Sequence, residues 1–344
     1  HTQLHLRDSW MNNLLIKSVL FVSIVSTAAC SQSEALEITS STVSEDKIQQ
    51  IINNVERLHP DISDELKQQV AEIAVKSIEN QIYVEGGSFD MGDFGMPCNS
   101  YLDRPVYDPK DVCNSTINPY DRPVHKVTLD SFSMSKYETS VYEFEHFKLA
   151  HHQPLPEPEF RKEQPHHWWF TPTNPTGTQK WQEAKDYCLW IGQLTQDKFD
   201  LPTEAQWEYA ARDRGKYIYY ATNDGTIKGD INLPEDDLHP VDSFPPSPLG
   251  FYHLQSNAVE WVNDWFDPDY YKHSPEHNPQ GPSGPVEASI HNDPPQILKV
   301  LRGGSTSWDE DVAMRRATQK PIMKHHYVTY GFRCAVEDAK PINK

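Results

Sequence analysis

Residues 201–212 read Leu-Pro-Thr-Glu-Ala-Gln-Trp-Glu-Tyr-Ala-Ala-Arg, and residues 181–190 read Trp-Gln-Glu-Ala-Lys-Asp-Tyr-Cys-Leu-Trp. In the first stretch Pro202 and Thr203 open a short helix, because proline is accepted in a first turn and threonine is a preferred N-cap. In the second, Trp181, Ala184, Tyr187, Cys188 and Ile191 recur at helical spacing and mark one buried face. Short strands are predicted at 126–129 (Lys-Val-Thr-Leu) and 298–301 (Leu-Lys-Val-Leu). Elsewhere from Tyr83 onward, Gly-Gly, Asn-Pro, Pro-Pro and Asp-Pro pairs interrupt every periodic run, so the chain reads as a loop-rich α+β domain.

Upstream the pattern is simpler. Ile48, Ile51, Ile52, Val55 and Leu58 fall on one helical face after Thr42-x-x-Glu45, which fits a capping box, and His59-Pro60 ends the run. A second helix follows from Ser63, with Leu66, Val70, Ile73, Ala74 and Ile78 on one face. The two make a helical hairpin over 42–80, expected to pack within the chain. Met11 begins a segment with one positive charge, Lys17, followed by twelve apolar or small residues (18–29) and Cys30. That stretch is too short to span a bilayer and reads as a secretory signal. Thr27-Ala-Ala-Cys30 is similar to a bacterial lipobox, which implies cleavage before Cys30 and lipidation of its sulfur. Ser31 is not the aspartate associated with inner-membrane retention, so the expected place is the periplasmic side of the outer membrane or the cell surface. The organisation is thus 1–10 read through upstream, 11–29 signal, 30–41 tether, 42–80 hairpin, 83–336 main domain and 337–344 tail.

Composition limits the partners. The 344 residues carry 50 acids against 31 Lys and Arg, for a net charge of −19. A surface this acidic lacks the electrostatic term that nucleic acid binding requires, so no nucleic acid is expected. It is not drawn to anionic lipid either, which leaves an acyl anchor on Cys30 as the route to a membrane. A mean hydropathy of −0.70 is too low for a multi-span helical membrane protein. Beyond Cys30, the four cysteines Cys98, Cys113, Cys188 and Cys334 form an even set, which in an exported chain reads as two disulfides with three possible pairings. Cys98 and Cys113 flank one Pro/Asp/Asn-rich loop that a bridge between them would close. The absence of C-x-x-C argues against a zinc knuckle or a thioredoxin-type redox site.

From Tyr83 to about Val336 the chain resembles the formylglycine-generating, sulfatase-modifying enzyme family. The resemblance rests on Val84-Glu-Gly-Gly-Ser-Phe-Asp-Met-Gly92, Arg122 to Phe132, Lys136-Tyr-Glu-Thr139, and the two stretches quoted first. It continues through Gly250-Phe-Tyr252, Ser256-Asn-Ala-Val-Glu-Trp261, Asn278 to Pro282, Arg302-Gly-Gly-Ser305 and Gly331-Phe-Arg-Cys334, in the family's order. The fold it implies is a formylglycine-generating-enzyme fold: α+β, C-type-lectin-like and loop-rich, here preceded by the helical hairpin. The resemblance also implies a disulfide between Cys188 and Cys334.

In that family two cysteines, three and eight residues after the GGS serine, hold copper(I) and oxidise a substrate cysteine, chemistry that soft thiolates suit. Here Trp308 and Ala313 occupy those positions, and 306–317 contains no cysteine. The resemblance therefore implies neither a copper site nor catalytic residues. It further implies calcium ligands at His253, Ser256, Ala258 and Glu260, and a second set near Asp230 and Ile231, although imidazole is a poor ligand for so hard a cation. His273-x-x-x-His277 matches half of a related iron-binding motif, but Pro275 and Asn278-Pro279 make it a polar loop. The His-His pairs at 151, 166 and 325 each offer one ligand at most. No H-E-x-x-H, G-x-S-x-G or P-loop is present. Trp168, within His166-His-Trp-Trp-Phe170, and Trp308 are candidate groove aromatics. Two function classes follow: an exported lipoprotein that binds or assembles a protein or peptide partner without copper chemistry, or an oxidative maturation enzyme acting on such a partner through an altered site.

Overall fold

A computed structural model describes residues 36–98, 112–290, 292–304, 312–324 and 327–343. In chain order the elements are α1 (Glu45–Leu58), α2 (Asp64–Glu79), β1 (Gln81–Val84), β2 (Gly87–Met91), β3 (Met96–Pro97) and β4 (Val112–Cys113). Then come β5 (His125–Leu129), β6 (Phe132–Ser135), α3 (Val141–Ala150), α4 (Pro158–Glu163), α5 (Trp181–Thr195), β7 (Phe199–Asp200) and α6 (Glu204–Ala211). The last are β8 (Val259–Trp265), β9 (Glu287–Ala288), β10 (Gln296–Ile297), β11 (Lys299–Arg302), β12 (Ala317–Gln319), β13 (Tyr330–Gly331) and β14 (Ala335–Val336). Two four-stranded sheets, β1-β6-β14-β7 and β12-β11-β8-β13, organise the domain, with β8–β13 a parallel pair in the second. Hairpin-like pairs β2–β5, β3–β4 and β9–β10 hang on them. Most strands are two to five residues long, as the broken periodicity predicts.

Leu36 to Lys344 form one compact unit. The hairpin is part of it: Ile51, Val55, Val70, Ala74 and Ile78 share a buried cluster with Phe147 of α3 and Tyr187, Ile191 and Leu194 of α5. Polar contacts fix the docking, with Asn54 Nδ2 donating to Leu194 O at 2.9 Å and Trp190 Nε1 donating to His59 Nε2 at 2.8 Å. The α1 cap is Ser44, not Thr42. Ser40 Oγ accepts from the amides of Thr42 and Val43, a turn that buries Val43, and Ser44 then caps Lys47 N. The helix starts where the chain has finished burying that valine. Ser63 caps α2 and Thr203 caps α6, as the sequence predicts.

The disulfides are Cys98–Cys113 and Cys188–Cys334. The second ties α5 to the residue preceding β14. The 337–344 tail is not loose: Tyr83 Oη donates to Ala339 O, and Asn343 Nδ2 donates to Glu79 O and Gln81 O. Among the described residues no helix is long and apolar enough to cross a membrane. The signal segment and Cys30 lie outside the described residues, as do Trp308 and the 325–326 histidine pair.

Candidate functional site

Ala313 marks the one of the two cysteine-equivalent positions that the structure describes. Its methyl is buried, its amide donates to Tyr219 O at 2.6 Å, and its carbonyl accepts from Arg302 Nη2. The position thus presents backbone to its neighbours and no metal ligand. All four core cysteines are in disulfides, so none of them supplies a thiolate in its place. The residues present do not fit a copper(I) dithiolate centre.

Beneath Ala313 lies a buried ionic network built by the stretches that decided the fold. Arg302, from β11, donates Nη1 to Glu204 Oε1 at 2.9 Å and Nη2 to Glu208 Oε2 at 2.8 Å. Arg316 donates Nε to the same Glu204 oxygen at 2.8 Å, and its amide donates to Asp121 Oδ1. Arg212 closes the other side, 2.7 Å from Glu208 Oε1, and Tyr271 Oη donates to Glu204 at 3.1 Å. Glu204 and Glu208 lie one turn apart on α6, so a single short helix aims both carboxylates at the arginines. Gly303 follows Arg302 at φ 79°, where a Cβ would stand 3.2 Å from Leu254 O. Burial works against the charge on Glu204, but Arg316 and Arg302 outweigh it and hold the carboxyl below its usual range. Asp264, whose carboxylate caps the Glu204 amide, has no such excess of cations. Burial, with the charge of Glu204, pushes it up to about 7. Burial likewise pushes Asp121 up to about 6.

A second buried group holds the residues expected to bind calcium. Glu260 accepts from Arg333 Nη2 at 2.7 Å and from Trp207 Nε1 at 2.9 Å, and Arg333 Nε reaches both of its oxygens. Ala258 is buried, its amide donating to Glu138 Oε1; Ser256 Oγ is buried with no partner among the described residues. His253 Nε2 is 3.2 Å from Ser243 Oγ and 3.3 Å from Pro240 O, and burial, with Arg333 nearby, pulls its imidazole down to about 4. This donor set does not fit a calcium ion. The one carboxylate of the set, Glu260, is already paired with the Arg333 guanidinium and is not free to anchor a hard cation. Asp230 and Ile231 sit apart in a tight turn, Asp230 N donating to Leu233 O and Asp230 Oδ1 accepting from Glu235 N, with Ile231 exposed. No cluster of three or more His, Cys, Asp or Glu able to hold a metal exists among the described residues. His273 and His277 flank a loop beyond a 3-10 turn, pairing singly with Asp267 and Asp130.

Trp168 is 38 % exposed at the rim of an aromatic cluster with His167, Trp169, Phe160 and Phe170, and Arg161 stacks 3.7 Å above Phe170. A second aromatic group, which the sequence reading overlooks, adjoins Ala313. Tyr219, whose carbonyl holds the Ala313 amide, packs on Phe94, and Phe94 stacks edge-on against Tyr217, which is 63 % exposed. The signal was there in Tyr217-Ile-Tyr-Tyr220, an aromatic run too dense for a solvated loop.

Residues 67–338 match the model of the sulfatase-modifying factor enzyme 1-like domain. The chain is 34 % identical over 158 residues to the serine/threonine-protein kinase pkn1 of Chlamydia pneumoniae, covering 45 % of this chain and 23 % of that protein. It is 31 % identical over 185 residues to a formylglycine-generating enzyme of Streptomyces coelicolor, covering 48 % of this chain and 53 % of the enzyme. The chain therefore spans about half or less of the length of these relatives. Among solved structures, PvdO from Pseudomonas aeruginosa superposes with a TM-score of 0.53 at 21 % identity over 75 % of this chain and 94 % of that one, a likeness of fold.

Proposed function

The chain belongs to the sulfatase-modifying factor enzyme 1-like domain family, and on that premise we propose that it is a lipid-anchored, exported binding or assembly protein that keeps the family's scaffold without its copper chemistry. The observation that carries this reading is Ala313: a buried methyl with a backbone locked between Tyr219 and Arg302 stands where a thiolate is required. Beside it, Tyr217, Tyr219 and Phe94 offer an aromatic surface of the kind that anchors peptide partners. The partner is an exported protein or peptide. Arg333, in this reading, does for Glu260 what a bound cation does elsewhere, so neither calcium nor copper is required. The kinase named among the relatives shares too small a part of its length for its activity to be transferred.

The second reading, an oxidative maturation enzyme working on an exported peptide, is favoured by the intact network of Glu204, Glu208, Arg302 and Arg316 beneath Ala313. The two are separated by incubating the purified chain with copper(I), oxygen and cysteine-containing peptides, alongside affinity capture from the envelope fraction. Binding without turnover, weakened by Tyr217→Ala, is the expected result. Aldehyde formed on a peptide cysteine over many turnovers would overturn the proposal. Lipid anchoring through Cys30 is tested by Cys30→Ser, which should move the protein from the membrane to the soluble fraction.

A further inference from the structure

Away from Ala313, a half-open pocket of about 340 Å³ lies between α2 and the rest of the domain. Ile73 and Ser77 of α2 form one wall, the turn from β6 into α3 forms another, and Tyr187 of α5 lies across it. The size falls within the range of small-molecule sites. The lining is mainly apolar, yet its charged members are Glu72, Glu138, Glu143 and Asp242 against Lys76 alone. Lys76 is exposed, and Glu138 has both oxygens bonded, to Asn257 Nδ2 and to the Ala258 amide.

Glu143 differs. It is the third residue of α3, half-buried, and its Oε2 accepts from both the amide and the hydroxyl of Ser140 at 2.7 Å, which leaves Oε1 free to meet a ligand in the pocket. Burial pushes this carboxyl above its usual range, against the hydrogen bonds from Ser140 and the more distant charge of Lys76. A half-buried carboxylate lining a mainly apolar pocket is stabilised when a cation joins it there. Tyr142 and Tyr187 line the same space, and aromatic rings attract cations that approach them.

We propose that this cavity binds a small protonated amine carried on an apolar body, with Glu143 as its counter-ion and Tyr142 and Tyr187 beside the ammonium group. Anions are excluded by the surrounding carboxylates, and a neutral ligand of the same shape forfeits the ion pair. Occupancy of this site is independent of whether the surface around Ala313 binds or oxidises a partner.

Calorimetric titration of the full chain with phenethylamine, 2-phenylethanol and phenylacetate tests the proposal. Phenethylamine should bind saturably and at least tenfold more tightly than the alcohol, and phenylacetate should not bind. Glu143→Gln should abolish the preference for the amine over the alcohol while leaving the melting temperature near wild type, because glutamine also completes a capping box. Ser77→Leu, which fills the cavity from the opposite wall without touching the cap, should weaken the amine at least tenfold. No saturable amine binding, an alcohol bound as tightly, or an amine affinity unmoved by Ser77→Leu would each overturn it.

Discussion

At the scale of single residues, the molecule invests heavily in buried charge. Arg302 and Arg316 are wholly buried against Glu204 and Glu208, and removing one partner leaves a carboxylate stranded in low dielectric. Arg302→Met is therefore expected to cost ~3–5 kcal/mol in a denaturant titration. Breaking the exposed Lys162–Glu159 pair should cost about 0–1 kcal/mol. The same burial gives opposing pH responses. Asp264, raised from 3.8 to about 7, stabilises the fold fully below 3.8 and loses that contribution as pH rises through 7. His253, lowered from 6.5 to about 4, stabilises it above 6.5 and loses that contribution as pH falls through 4. Wild type should lose stability relative to Asp264→Asn on going from pH 4 to 8. It should lose stability relative to His253→Gln on going from pH 7 to 4. Parallel curves from chemical denaturation across that range would contradict both assignments.

At the scale of elements, the hairpin is an integral layer of the domain. Ile51 and Val70 are fully buried in the cluster shared with α3 and α5, so Ile51→Ala should cost ~2–5 kcal/mol, and Ser63→Ala, removing the α2 cap, ~0.5–2 kcal/mol. A hairpin serving only as a spacer would leave the domain's unfolding midpoint unchanged in both variants. Its two helices were legible in the sequence because a 3.6-residue period survives over several turns. The exact start was not, because Val43 had to be buried before Ser44 could cap, and that depends on where the domain surface lies. The domain's strands, two to five residues long, carry almost no period of their own; its fold was legible through block resemblance. The candidate site was read only in part. Ala313 followed from spacing, whereas the pairing of Arg302 with Glu208, 94 residues apart in sequence, and of Arg333 with Glu260 depends on tertiary packing that no local pattern records. For the same reason, the guanidinium partner of Glu260 is invisible in its own block of sequence.

At the scale of the whole molecule, the two disulfides are of the kind that persists in an oxidising compartment, which supports the export proposed above. Alkylation of the unfolded, unreduced protein should label none of Cys98, Cys113, Cys188 and Cys334, and label at any of them would contradict the two disulfides. The central claim, that a family scaffold persists here without its redox metal, meets its most direct test in elemental mass spectrometry of the full chain purified without chelators. Copper and iron far below one per chain are the predicted result. Copper or iron near one per chain would contradict the account and return the molecule to the oxidases.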